Sequence, residues 1–346
     1  MASTTLLGKL RELSAVDCDT LDGEVGTWTN ASAVAKKLGP FVDCTSNQAI
    51  AFFELTKTGV GATLTHEQLI KDSIRDAHWM LAQQSGVTLE ELAVDFAMVR
   101  LALDIVPNLT GYSHIQTNPR WSYNVQKTIN NAERIVSIFK HLAPSYDTKR
   151  VCIKIPATWE GLQACRELEK RGIATLATTM FCMEQAALAA EVNCTYIAPY
   201  VNELKVHFEK DYVDGNKAFT FCGVAQQYYR KIGAKTRVLP ASLTSIDEVL
   251  MLAGVDHITV SPPLLAQLSD TPLDGYEGDI GSVCKTAGNP ADEDYAAILE
   301  DESAWRLAFT RSGRGTSEGK IIQAINIFYE MQLNLEGMIT KFDTAV

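Results

Sequence analysis

Eight short apolar runs alternate with helical stretches along most of this chain, and that alternation restricts the fold more than any other feature. The runs fall at residues 16–18, 41–45, 111–116, 151–155, 174–178, 195–199, 237–241 and 257–260. Between them, apolar periodicity predicts helices over 89–106, 119–142, 159–171, 183–192, 217–232 and 245–253. Strand–helix alternation of this kind builds a parallel sheet. Eight strands are the number that closes a barrel, and no G-x-G-x-x-G turn follows any of them, as an open nucleotide-binding sheet would require. The expected fold is therefore α/β, a single (β/α)8 TIM-type barrel spanning residues 1–346. Extra helices are expected at both ends: one around Leu6, Leu7, Leu10 and Leu13, and one over 317–341 that packs across the barrel. The Asp-, Gly- and Pro-rich stretch 270–303 reads as a long connection, because too little chain follows it to build another core.

Charge and cysteine usage narrow the functional classes. With 31 basic and 42 acidic residues the formal charge is −11, which disfavours nucleic acid and anionic membrane surfaces as partners. No segment approaches the length of apolar residues needed to cross a bilayer, and no secretory signal is apparent, so the expected location is the cytoplasm. The eight cysteines stand singly, without a C-x-x-C pair, which argues for reduced core thiols and against a zinc or redox motif. Sequons begin at Asn30, Asn108 and Asn193 and read as chance matches in such a chain.

The residue with the strongest chemical implication is Lys154, which stands inside the apolar strand VCIKIP just before a helix start at Pro156, Thr158 and Glu160. An ammonium group in a barrel strand is costly unless it is paired or used. Burial disfavours its charged form and yields a free amine able to attack a carbonyl. Burial alone leaves two readings open, an amine nucleophile or one half of an ion pair with a barrel carboxylate.

The run IKIPATWEGLQACRELEKRGI, followed by Thr178, FCMEQAALAAE and APYV, resembles the lysine signature and following strands of the transaldolase family. The likeness extends from Asp19-Thr20-x-Asp22 through Thr45-Ser46-Asn47 to the final helix. The resemblance implies a class I aldolase-type barrel with no metal or organic cofactor, whose lysine forms an imine with a ketose donor. Position by position, it implies Lys154 as imine former, Asp19 as acid/base, Asn47 and Ser242 as donor contacts and Thr178 as a holder of the catalytic water. Thr45 belongs to the same donor-side motif. Each falls at or just past the C-terminal end of a strand, where barrel enzymes build their sites.

Several positions depart from the family pattern. Gln116 stands where the third strand usually carries a glutamate; an amide can hold a water but cannot take its proton. Tyr200 replaces the usual phenylalanine, a pairing with Gln116 that resembles the fructose-6-phosphate aldolase branch, in which the tyrosine helps hold the water. TSNQ stands where the family commonly has TTNP, and Leu176 where many members have a polar asparagine. Glu203 and Thr244 occupy the positions of the two arginines that clamp a sugar phosphate, and a glutamate there repels a dianion. Lys205, Arg237 and Arg120 are within conceivable reach, but no spacing selects them, and Cys18, Cys44 and Cys182 read as barrel-core thiols. His114, two residues before Gln116, is expected one layer deeper as a satisfied core histidine.

The expected activity is lysine-imine aldol chemistry on a small carbonyl substrate without phosphate, of the specialised-metabolite kind, in a homodimer. An ordinary transaldolase or fructose-6-phosphate aldolase with a rearranged phosphate site, and a catalytically silent barrel used as a scaffold, are the competing readings.

Overall fold

The computed structural model describes residues 4–23, 38–83, 86–286 and 295–344. Eight parallel strands run in the order β7-β6-β5-β4-β3-β2-β1-β8: β1 Ala15–Asp19, β2 Cys44–Thr45, β3 Ser113–Gln116, β4 Val151–Pro156, β5 Ala174–Met180, β6 Tyr196–Pro199, β7 Arg237–Val238 and β8 His257–Val260. The seam between β7 and β8 is joined by Thr259 N donating to Pro240 O at 3.3 Å and Val238 N donating to Asp256 Oδ2 at 3.0 Å, so the sheet closes on itself as a TIM-type barrel. The strands fall on the eight apolar runs. β2 and β7 are shorter than expected, yet their backbone pairing continues: Phe41 bridges Leu109, and Ala241 N donates to Pro199 O at 2.9 Å.

Fourteen helices surround the barrel among the described residues: α1 Leu6–Leu13, α2 Gln48–Leu55, α3 Glu67–Leu81, α4 Leu89–Ile105, α5 Val125–Leu142, α6 Trp159–Lys170, α7 Met183–Glu191, α8 Phe219–Ile232, α9 Ile246–Met251, α10 Pro262–Asp270, α11 Ser282–Thr286, α12 Ala296–Leu299, α13 Glu302–Arg311 and α14 Thr316–Asp343. The continuous helix expected over 119–142 is divided, because the Asn118 and Asn124 side chains each cap a new start and leave a 3-10 turn, Pro119–Trp121, before α5. The stretch 270–303 holds two short helices and the start of α13, while residues 287–294 and the sequon at Asn30 lie outside the described residues. None of the described helices is long and apolar enough to cross a membrane.

Local sequence sets how closely α6 follows β4. A Cβ at position 161 would lie 2.0 Å from the Pro156 carbonyl oxygen, so Gly161 lets the helix start directly behind the lysine strand, with Thr158 capping the Gly161 N–H at 2.9 Å. The long α14 packs against α2, α3, α4, the turn Pro119–Trp121 and the 3-10 turn Leu204–His207, so it runs along the end of the barrel where the strands finish. Arg120 fastens it there by donating to Glu91 and Glu336, each at 3.0 Å.

The barrel interior is layered by strand alternation. In the deeper layer Asp17, Asp43, His114, Tyr196 and His257 meet from five different strands or their approaches. His114 lies in this layer as expected, its Nε2 3.0 Å from Asp43 Oδ2, but it is only half satisfied, because its buried Nδ1 has no hydrogen-bond partner among the described residues. Lys154 lies one layer above, level with Gln116 on β3 and Leu176 on β5.

Candidate active site

Lys154 is 1% exposed, and its Nζ lies 5.8 Å from the centre of the Tyr200 ring. Among the described residues no carboxylate pairs with it and no hydrogen bond reaches its Nζ. The ion-pair reading of this buried lysine therefore lacks its partner.

Two polar atoms beside the lysine are also without partners. Gln116 Oε1 and Thr178 Oγ1 are buried and accept or donate no hydrogen bond among the described residues. Unsatisfied buried polar atoms are rare because each costs about 1–3 kcal/mol, and such atoms can hold a water or ligand. The other end of the Gln116 amide is fixed, its Nε2 donating to Gln48 Oε1 at 2.8 Å. Gln48 in turn donates to the Thr117 carbonyl at 3.1 Å. The departures at positions 48 and 116 are thus physically coupled, since proline at 48 could not orient the amide.

Asp19 ends β1, and its Oδ1 accepts from the Thr45 hydroxyl at 2.6 Å; that hydroxyl also lies 2.6 Å from Thr259 Oγ1. Asn47 caps α2 by accepting from Ile50 N at 3.0 Å, which fixes its amide at the barrel mouth. Two non-glycine residues in the left-handed region, Thr179 at φ 57° and Ser242 at φ 61°, stand where β5 and β7 finish. Strain of this kind costs about 1–3 kcal/mol per residue and persists where the surrounding structure imposes it. At Thr179 it accompanies an irregularity in the β5–β6 pairing between Ala177 and Met180, immediately after Thr178.

Asp19, Asn47, Tyr200 and Ser242 line one cavity of about 240 Å³, together with Thr259, His207 and an apolar wall. The cavity lining contains no lysine or arginine, and Asp19 is its one carboxylate. Glu203 and Thr244 do not line it. The Glu203 carboxylate accepts from Tyr212 and from Gln323 Nε2, and Thr244 is held by Glu248 through N at 2.7 Å and Oγ1 at 3.0 Å. Lys205 lies 3.9 Å from the Tyr212 ring centre, Arg237 stands 3.4 Å from His257 Nε2 and Arg120 pairs with Glu91 and Glu336, so none of the three lines the cavity either. Burial raises the Cys18 and Cys182 thiols well above their ordinary value, which keeps them protonated and inert. A larger groove of about 500 Å³ on the helical exterior, around Trp121, Lys127 and Arg134, holds none of these residues.

The family model for transaldolase/fructose-6-phosphate aldolase matches residues 19–318. The chain belongs to that family. It is 34% identical over 274 residues to the transaldolase of Saccharomyces cerevisiae, covering 76% of this chain and 79% of that protein. It is 32% identical over 278 residues to the transaldolase of Methylococcus capsulatus, with 78% of each covered. Over 347 residues it is 28% identical to the transaldolase of Chlamydia pneumoniae, covering 96% of this chain and 95% of that one. This transaldolase-family chain is accordingly an enzyme of the class I, Schiff-base aldolase type.

Two further side chains beside the candidate site of this transaldolase-family chain, Gln48 and His207, are not marked in the sequence. Gln48 was visible only as a departure from TTNP, and its bond to Gln116 depends on how α2 is aimed. His207 follows β6 on the turn Leu204–His207, and its Nε2 lies 2.9 Å from Ser242 Oγ. The spacing of 35 residues between them gives no sequence signal.

Proposed function

We propose that this enzyme makes and breaks a carbon–carbon bond through an imine on Lys154, using a carbonyl donor that carries no phosphate. The observation that carries the donor without phosphate is the cavity lining, a carboxylate, neutral polar groups and apolar groups without a cation; Lys154 is not itself a lining residue, and its link to the cavity is Tyr200, whose ring centre lies 5.8 Å from its Nζ. A phosphate dianion entering it would face Asp19 without compensation.

The residues take the following roles. The Lys154 amine adds to the donor carbonyl, and loss of water gives the imine, which is protonated on nitrogen. Asp19, oriented by Thr45, accepts the proton of the donor hydroxyl as the bond to the neighbouring carbon breaks, and electrons move into the imine to leave an enamine. Asn47 and Ser242 hold the donor's polar groups at the mouth. Gln116 Oε1 and Thr178 Oγ1 offer a water the hydrogen bonds they otherwise lack, with Tyr200 closing that site above the lysine. Leu176, at the level of Lys154, leaves the donor end less suited to a polyhydroxylated chain. Glu203 and Thr244 bear on the substrate by what they exclude, since they replace a phosphate clamp.

Borohydride trapping followed by intact-mass measurement tests the reading. An adduct with hydroxyacetone, absent in Lys154→Met, is the expected result. Adduct formation with fructose 6-phosphate alone would overturn it and restore an ordinary sugar-phosphate transaldolase. Complete absence of adducts, with ligand affinity unchanged in Lys154→Met, would instead identify a scaffold.

A further inference from the structure

The outer half of the cavity has a character that the lysine chemistry does not require. Ile50, Phe53, Leu204, Phe208, Leu243 and Phe328 wall it. Phe328 is fully buried, whereas Phe53 keeps 57% of its surface exposed at the rim, with its ring centre 6.4 Å from that of Phe208. An apolar ring exposed beside a cavity of this kind marks a ligand surface. At the same rim stands the His207–Ser242 pair. His207 is exposed at this rim, and its imidazole is pushed down by the surrounding protein, only partly offset by Asp19 and Glu248, which favours the neutral, hydrogen-bonding form. The cavity's 240 Å³ equals the room of about eight waters, enough for a short donor and one small side group.

We propose that the half of the substrate beyond the bond being made is a small uncharged aldehyde with an apolar, aryl or branched-alkyl body, seated against Phe53, Phe208 and Phe328 with its carbonyl oxygen between Asp19 and the His207–Ser242 pair. This rests on the aldol reading above. In the synthetic direction the enamine carbon adds to the aldehyde carbon, the aldehyde oxygen takes the proton held by Asp19, and the iminium is hydrolysed to free the lysine. A polyhydroxylated aldehyde would lose water from its hydroxyls against phenyl rings without replacement partners. A phosphorylated one would in addition bring a dianion to a cation-free wall.

Calorimetry with alcohols reads this surface without imine formation. Expected results with the intact chain are binding of 3-phenylpropanol, about tenfold weaker binding in Phe53→Ser, and no binding of glycerol 3-phosphate. Because Phe53 is exposed, that substitution leaves the core intact, and an unchanged Tm verifies it. Weaker 3-phenylpropanol binding in His207→Phe would place its hydroxyl at the rim pair. Tighter binding of glycerol 3-phosphate, or 3-phenylpropanol affinity indifferent to both substitutions, would overturn the inference. The outcome is independent of the hydroxyacetone trap at Lys154, so failure of the acceptor class and failure of the imine reading are told apart.

Discussion

A buried amine without a counter-ion has a cost that a folded chain does not carry without a use. Lys154 has that character, and Lys154→Met is expected to remove the borohydride-trapped adduct while raising Tm, because a buried polar head without a hydrogen-bond partner is exchanged for an apolar one of similar length. Differential scanning calorimetry on the two proteins checks the direction. The Gln48–Gln116 bond gives a second test at this scale. Gln48→Pro deletes the acceptor that fixes the Gln116 amide and should lower kcat by about one to two orders of magnitude while the adduct with Lys154 still forms. Rapid-quench measurement of adduct formation beside steady-state kcat separates the two effects. Much of this was legible in the sequence, because a lysine in an apolar strand and polar residues at strand ends are local signals. His207 was not, since its meeting with Ser242 depends on how the β6 loop folds back over the mouth.

At the scale of elements, the mouth is shaped by pieces that are distant in sequence. The segment after β6 is tied to α14 by Gln323 on Glu203 at 2.8 Å and on Lys205 N at 3.2 Å, and by Lys320 on Asp214 at 2.8 Å. Phe328 of α14 contributes to the cavity wall from the same face. Phe328→Ala should cost about 3–5 kcal/mol by the transfer and cavity terms for a buried aromatic, and should raise KM more than it lowers kcat. Denaturant unfolding and steady-state kinetics on one preparation check both parts. Periodicity located α14 to within a few residues and anticipated its crossing of the barrel end. It did not reveal α2, α3, α10 or α13, or the break before α5, where capping by Asn124 overrides an apolar pattern that runs straight through.

For the whole molecule, the deeper barrel layer couples acid and base groups from several strands. Asp17 Oδ1 accepts from Asp43 N at 2.9 Å, Asp17 Oδ2 lies 3.0 Å from His257 Nδ1, and Asp43 accepts from Tyr112 N at 2.6 Å and from His114. Burial disfavours charge on His257, but the bond to Asp17 and the charges of Asp17 and Asp43 outweigh it, and its pKa is raised. The stability this gives is complete below the ordinary histidine value of 6.5 and is lost as pH rises through the higher folded value. Burial also raises Asp17, so its contribution too declines with rising pH, whereas Asp43, for which His114 and the Tyr112 N–H outweigh burial, loses its contribution only as pH falls through a value below 3.8. Tm should therefore fall as pH rises above about 6.5, and His257→Gln should flatten the slope. A slope unchanged by the substitution would assign the dependence to other groups. The alternation that identified the barrel also placed His114 in this layer, but its partners come from strands far apart in sequence and were not legible.

The rings of His114, Tyr196 and His257 in that layer, with Tyr112 beside them, lie with centres 5.1–6.2 Å apart and close the barrel one layer below the level of Lys154. On the imine reading, the traffic of substrate and product then runs through the cavity on the Phe53 and His207 side, away from these rings.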